Sequence, residues 1–427
     1  MLKHTIHELS AREILDSRGD PTVEVKLELG GGVKAVASVP AGASVGAHEA
    51  QELRDGDSSR YNGKGVLNAV ANIQGEIKQA LQGISVTEQQ EIDHNLKELD
   101  GTPNKSRLGA NAILGVSLVC ARAASAARKL PLYRYLQHVY KFPTNNFTLP
   151  LPMMNLLNGG RHADSTLNLQ EIIIIPRRFR KIKGNLAIHF TECVRVGSEV
   201  FQALGRVLKK NGLDTDLGNE GGYAPNFKNS EQALDLLVQG INAAGFKPGS
   251  DATIGLDVAA SEFYQDNSYS FEDQQLSKED LMGRYHSWLE RYPLSSIEDG
   301  LEQDDWQGWA SLTEKFGKQL LLVGDDLFVT NTKRLKQGVA EGAANAIIIK
   351  PNQVGTLTET METIKLARNH GYKIIVSHRS GETMDTFIAD LAVAVGAQYL
   401  KAGSTARGER VTKYNRLMAI EAELLGS

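Results

Sequence analysis

Leu294 to Asp299 (L-S-S-I-E-D), Leu320 to Asp326 (L-L-L-V-G-D-D) and Ala346 to Lys350 (A-I-I-I-K) share one pattern: a short apolar run that ends abruptly in charge. The pattern recurs outward from them. Ala252 to Leu256 ends in Asp257, Lys373 to Val376 is followed by Ser377, His378, Arg379 and Ser380, and Ala397 to Leu400 ends in Lys401. Ile172 to Ile175 is a further run of the same kind, preceded rather than followed by polar residues. Runs rich in Ile, Val and Leu, separated by helical stretches, are the rhythm of βα units around a parallel barrel. A doubly wound open sheet has the same local rhythm, but the first βα turn lacks the G-x-G-x-x-G loop expected there. In a barrel, the residues that close the strands share one rim, where active sites of this architecture are built. The expectation is a single mouth with carboxylates from Asp257, Glu298 and Asp325 facing Lys350, Arg379 and Lys401.

The 427 residues are too many for one ordinary core and suggest two domains. Upstream of the barrel pattern, Pro21 to Leu29 (P-T-V-E-V-K-L-E-L) and Val33 to Val39 alternate as strands around Gly30, Gly31 and Gly32, which reads as a hairpin. Helical patterns follow at Gly65 to Leu81, Glu88 to Leu99 and the Ala-rich Ala110 to Lys129. The reading is a smaller α+β capping domain over residues 1–140 and a barrel over 146–427, with Lys141 to Pro150, rich in Pro and Asn, as the linker.

Composition narrows the function. A hydrophobic share of 41% and a charged share of 23% are globular values, and 47 Lys plus Arg against 51 Asp plus Glu leave a net charge of −4. Nucleic acid is not expected as a partner, since the longest basic cluster, Arg177 to Lys183, is short and reads as solvated surface. The two cysteines, Cys120 and Cys193, need no oxidising compartment. With no apolar run near membrane-spanning length and no signal-peptide core at the start, a cytoplasmic protein that does not engage a membrane is expected.

One Asp after a strand ordinarily caps the next helix. Three acidic strand ends in succession suggest hard oxygen ligands for Mg²⁺, and zinc fits poorly because no paired His or Cys accompanies them. Lys350 closes an apolar run, and a partly buried ammonium is costly without a partner or a task. Gln170 and Glu171 precede the run Ile172 to Ile175, so they reach the same rim only if that strand runs antiparallel to the others. Glu220 sits in a glycine-flanked loop, Gly218 to Gly222 (G-N-E-G-G), where the backbone is able to approach a ligand closely.

At this point the chain resembles the enolase family over nearly its whole length. The resemblance is carried by D-S-R-G-D-P-T-V-E-V (Asp16 to Val25), G-A-S-V-G-A-H-E-A (Gly42 to Ala50), N-G-G-R-H-A (Asn158 to Ala163) and G-N-E-G-G-Y-A-P-N (Gly218 to Asn226). It continues through S-I-E-D-G (Ser296 to Gly300), G-D-D-L (Gly324 to Leu327), K-P-N-Q-V-G-T (Lys350 to Thr356) and S-H-R-S-G-E-T (Ser377 to Thr383). The resemblance implies a barrel with an antiparallel second strand, and reversible dehydration of 2-phosphoglycerate to phosphoenolpyruvate in glycolysis and gluconeogenesis. It implies Asp257, Glu298 and Asp325 as ligands of one Mg²⁺, and Ser44 as a ligand of a second that arrives with substrate. Lys350 matches the base, its pKa lowered by Mg²⁺, Arg379 and Lys401, and Glu220 the general acid. Glu171 supports Glu220, His378 belongs to the catalytic set, and His162, Gln170, Arg379, Ser380 and Lys401 match substrate-binding positions. A homodimer is implied, octamers occur among bacterial relatives, and family analogy adds a cell-surface or secreted fraction.

The chain departs from the family pattern at Asp20, Ala41, Val45, Asn219 and Ala402 to Thr405 (A-G-S-T). Asn219 replaces an acid beside Glu220 and is expected to shift that residue's pKa, and Val45 to alter loop closure. Two rival readings remain at this stage. One is another superfamily reaction on the same carboxylates, such as racemisation, cycloisomerisation or ammonia elimination, against which Arg379, Ser380, Lys401 and the Glu220 loop stand. The other is a non-enzymatic structural or receptor role, against which the intact catalytic set stands.

Overall fold

A computed structural model of the chain describes residues 3–42, 48–143, 147–182 and 185–426. The N-terminal part is an antiparallel sheet of three strands, Ile6–Leu15, Pro21–Leu29 and Lys34–Ser38, backed by helices. The expected hairpin is the pair Pro21–Leu29 and Lys34–Ser38, and Gly32 takes its turn at φ +81°. Strand Ile6–Leu15, which the sequence reading did not anticipate, pairs along the other edge. Its alternation is broken by His7 and Glu8, where the register shifts between buried Ile6 and buried Leu9, and charged Glu13 stands in phase with Leu9 and Ala11, so the pattern is weak before its neighbour is known.

Period-two burial sends Val23, Val25, Leu27 and Leu29 to one face of the sheet. The helix Ala110–Ala127 packs on that face, and its approach is close enough that a Cβ at Gly115 would lie 2.6 Å from Val25 Cγ2. This helix is long and apolar enough to cross a membrane by length and composition, yet 83% of it is buried inside the fold, so it serves as the core helix of this part. The expected helix over Gly65 to Leu81 forms as Leu67–Asn72 and Lys78–Leu81, joined by a π-helical turn, Ile73–Ile77, around Gly75.

Beyond Phe147 the chain closes an eight-stranded barrel in sequence order: Leu151–Asn158, Glu171–Pro176, Ala252–Asp257, Leu294–Glu298, Leu321–Gly324, Ala346–Ile349, Lys373–Ser377 and Tyr399–Lys401. The second strand is antiparallel to both neighbours and the other pairings are parallel. The seven expected runs are all strands, and the eighth, Leu151–Asn158, lies directly after the linker, where Pro152 and Asn155 blurred its pattern. Met153, Ile173, Ile175, Val323, Ala346, Ile348 and Ile375 fill the barrel interior, while Ile172 and Ile174 alternate outward into the helical layer. Cys120 and Cys193 are both free and buried. Within the basic stretch Arg177 to Lys183, Phe179–Ile182 pairs antiparallel with Asn185–Ile188.

Candidate active site

Strand reversal puts the start of Glu171–Pro176 on the rim where the parallel strands end. Register then aligns Glu171 with Asp257, and Asp257 with Glu298, on three adjoining strands. Lys401, closing the last strand, reaches across to all three: its Nζ lies 2.8 Å from Asp257 Oδ2, 2.9 Å from Glu298 Oε1 and 3.2 Å from Glu171 Oε1. Burial works against the charge on Lys401, but Asp257, Glu171 and Glu298 outweigh it and keep the ammonium protonated. Gln170 Nε2 donates to Asp257 Oδ2 at 3.3 Å.

Lys350 follows the strand Ala346–Ile349, and its ammonium contacts Asp325 Oδ2 directly. Burial opposes its charge, Asp325 holds it, and Arg379 and Lys401 push against it; the net direction is upward. The expected lowering is thus present in the two neighbouring cations, and Asp325 overrides it in this arrangement. The other oxygen of Asp325 accepts from Gln353 Nε2 at 3.0 Å, and Gln353 is itself oriented by Thr330 Oγ1 at 2.6 Å. Asp299, in the left-handed region at φ +43°, receives the backbone N–H groups of Asp325 (2.9 Å) and Asp326 (2.8 Å), which fixes the turn that carries Asp325.

On the other side of the mouth, Glu220 Oε2 lies 3.2 Å from His378 Nε2 and accepts from Asn155 Nδ2 at 3.2 Å. His162 Nδ1 stands 3.3 Å from Glu171 Oε1 and 3.5 Å from Glu220 Oε1, without the alignment of a hydrogen bond to either. Burial raises both carboxyl groups. In Glu220, His162, His378 and Arg410 more than reverse it and hold the group well below the usual range. In Glu171 the neighbouring Glu220 adds to burial and holds the group well above it. The two acids are thus pushed in opposite directions at close quarters, and Glu171 Oε2 is buried without a hydrogen-bond partner.

Arg379 does not face open space. Its Nη1 and Nη2 form a two-pronged pair with Glu49 at 3.0 and 3.1 Å, and Nη1 also donates to Asn352 Oδ1 at 2.9 Å. Ser380 is buried beside it. Ser44 lies outside the described residues, as does Val45. The side chain of Asn219 borders the groove next to the mouth, with His162, Asp214 and Asp216, and its backbone N–H donates to His162 O at 3.0 Å.

Around one small cavity at this mouth, Glu171, Glu220, Asp257, Glu262, Asp299, Asp325 and Asp326 outnumber Lys350, Arg379 and Lys401. Carboxylates crowd closely enough that burial and Asp325 push Asp326 up to about 7. Glu298 is held well above the usual range by burial and then by Asp257, and its Oε2 is buried with no hydrogen-bond partner. Among the described residues, ligating atoms gather within 4.8 Å inside each of two separate sets: His162, Glu171 and Glu220, and Asp299, Asp325 and Asp326. Buried, mutually repelling oxygens with an orphaned acceptor fit a hard divalent cation. Of the trio expected as ligands, Asp257 and Glu298 share the one ammonium of Lys401 here, and Asp325 pairs with Lys350.

Sequence reasoning missed Glu49, Asn155, Gln353 and Arg410, and it placed Asp299 on the rim without giving it a role. Glu49 and Gln353 fell inside quoted motifs, and the acidic character of Glu49 was the available signal. Nothing local distinguished Arg410 from a solvated helix cation.

Residues 146–427 match the family model described as Enolase, C-terminal TIM barrel domain, and residues 6–136 match the one described as Enolase, N-terminal domain.

Proposed function

Because the chain belongs to the enolase family, we propose that it is the Mg²⁺-dependent hydro-lyase that interconverts 2-phosphoglycerate and phosphoenolpyruvate. The observation that carries the reading is an ammonium, Lys350, and a close acid pair pushed in opposite directions, Glu171 and Glu220, lining one small cavity with an excess of carboxylates. Removing a proton beside a carboxylate adds charge to a group already anionic, and an acid-rich mouth repels such a substrate unless divalent cations reverse its field. Mg²⁺ held by Asp257, Glu298 and Asp325, with a second ion held through Ser44, would supply that positive charge as a Lewis acid. The pairing of a lysine base with Mg²⁺ is a known pattern of enolase-superfamily sites.

Lys350 takes the C2 proton. Asp325, engaged elsewhere, no longer holds the ammonium, and Arg379 and Lys401 then favour its neutral form. Glu220 delivers a proton to the departing C3 hydroxyl, with Glu171, the carboxyl that burial and Glu220 hold above the usual range, beside it as support. Arg379 leaves Glu49 to grip the phosphate with its planar fork, an exchange of one anion for another at the same donor edge. Gln170, His162, Ser380 and Lys401 orient the remaining substrate oxygens. A cytoplasmic homodimer completes the reading, on the strength of the family resemblance.

The test is absorbance of phosphoenolpyruvate formed from 2-phosphoglycerate with Mg²⁺ and again with EDTA. Product with metal and none with chelator is expected. Absence of product with metal present refutes the assignment.

A further inference from the structure

The C-terminal helix Gly408–Gly426 sends two fully buried cations, Arg410 and Lys413, one turn apart, against the loop that carries His378 and Arg379. Lys413 is accounted for by structure alone: Nζ donates to Glu382 Oε2 at 2.7 Å, Thr383 O at 2.6 Å and Glu409 O at 2.7 Å. Arg410 does something different. Its Nη1 lies 2.5 Å from His378 Nδ1 and donates to Arg379 O at 2.6 Å, and its Nη2 donates to Ser380 O at 2.6 Å and to Asn219 O at 3.2 Å.

A guanidinium has only donors and does not lose its proton in a protein. The imidazole nitrogen facing it must therefore be the acceptor, so Nδ1 carries no hydrogen. The neutral ring then bears its single N–H on Nε2, the atom 3.2 Å from Glu220 Oε2. The opposite tautomer would set N–H against N–H at one end of the ring and lone pair against carboxylate at the other.

We propose that Arg410 is a positioning residue of the acid half of the site: it fixes His378 as the Nε2–H tautomer, which keeps one donor on Glu220, and through Asn219 O it ties the Glu220 loop to the same guanidinium. The inference rests on the reading of Glu220 as the acid only for its kinetic consequence; the tautomer stands on geometry. A neutral donor supports Glu220 without transferring a full charge to it, whereas an imidazolium would compete with substrate for the proton economy of the pair. Burial is the first cause that keeps His378 neutral, down to about 3, Arg410 and Lys401 reinforce it, and Glu220 is the charge that opposes it. Room for the guanidinium comes from Gly403, at φ +77°, where a Cβ would lie 2.7 Å from Arg410 Cδ and 2.8 Å from Glu220 O.

The experiment is nitrogen NMR of the full chain labelled at histidine with ¹⁵N, with His378→Gln identifying the resonances. In the parent, Nδ1 of His378 is expected to be bare and Nε2 protonated, unchanged between pH 8 and pH 5. A protonated Nδ1 in the parent overturns the proposal without any variant having to fold. In Arg410→Met the ring is expected to change tautomer or begin to titrate in that range, and Lys413→Met, a structural control, is expected to lose stability with His378 unmoved. An Arg410→Met spectrum identical to the parent's overturns the proposal. In kinetics, Arg410→Lys is expected to lower kcat for dehydration on the order of 10²-fold with little change in KM. That loss should largely vanish in the His378→Gln background, whose amide also donates to Glu220; a full additional loss there overturns the route through His378. Failure of 2-phosphoglycerate dehydration in the parent sinks the reaction reading and leaves the tautomer to the NMR result.

Discussion

Replacing Lys401 by Met leaves three buried carboxylates around an apolar chain of similar length. Each ammonium–carboxylate contact, at 2.8, 2.9 and 3.2 Å, is worth roughly 5–6 kcal/mol at an effective dielectric near 20. Most of that is offset by the desolvation the buried ammonium no longer suffers, and deleting one partner of a buried ion pair costs about 3–5 kcal/mol. Unfolding entropy of about 2.1 cal/mol/K per residue over the roughly 280 residues of the matched barrel gives about 0.6 kcal/mol/K, so the thermal midpoint should fall by roughly 5–8 °C. The assay is thermal unfolding followed by circular dichroism in EDTA, repeated at saturating Mg²⁺. Divalent charge among the same carboxylates substitutes for part of the missing ammonium, so Mg²⁺ should raise the variant's midpoint more than the parent's. A variant that melts with the parent in EDTA would refute the charge accounting at this rim, and equal gains from Mg²⁺ in both proteins would refute the shared location.

Lys350→Ala should abolish exchange of the C2 proton of 2-phosphoglycerate with solvent, whereas Glu220→Gln should leave that exchange measurable while dehydration fails; equal loss of exchange in both, followed by NMR in deuterated solvent, contradicts the assigned roles. Folded His378 is held at about 3 against an ordinary 6.5, so its contribution is intact above pH 6.5 and is lost as pH falls toward 3, because the unfolded chain takes up a proton that the folded one refuses. His378→Gln should therefore flatten the acid side of the stability–pH curve by up to one proton, measured by denaturant titration; parallel curves argue against a neutral buried ring. Gly403→Ala forces a Cβ into contacts of 2.7 and 2.8 Å at a left-handed φ, with an expected loss of about 1–3 kcal/mol and a fall in kcat as Arg410 and the Glu220 backbone separate. Parental stability and turnover in that variant would show that the packing around Arg410 gives way freely.

Strand rhythm and strand ends were legible because both are local. Apolar runs such as Ala346–Ile349 announce buried parallel strands, and the charged residue that follows must sit at a rim whatever the neighbours are. Strand Ile6–Leu15 was not legible, since His7 and Glu8 interrupt its alternation, charged Glu13 falls in phase with Leu9 and Ala11, and only pairing with Pro21–Leu29 makes sense of it. The antiparallel direction of Glu171–Pro176 was a condition the residues posed and the family resemblance answered, and the closed barrel shows it.

Which charges neutralise which was decided by the tertiary structure. Sequence named Asp257, Glu298, Asp325, Lys350, Arg379 and Lys401 as one cluster without pairing its charges; Lys401 bridges Asp257 and Glu298, Lys350 meets Asp325, and Glu49 reaches Arg379 across 330 positions of chain. Arg410 reads as an ordinary polar helix residue until the helix docks and buries it. Local pattern sets where a side chain leaves the backbone, and the partner it meets depends on folding that brings distant segments within the few ångströms over which charge and hydrogen bonding choose.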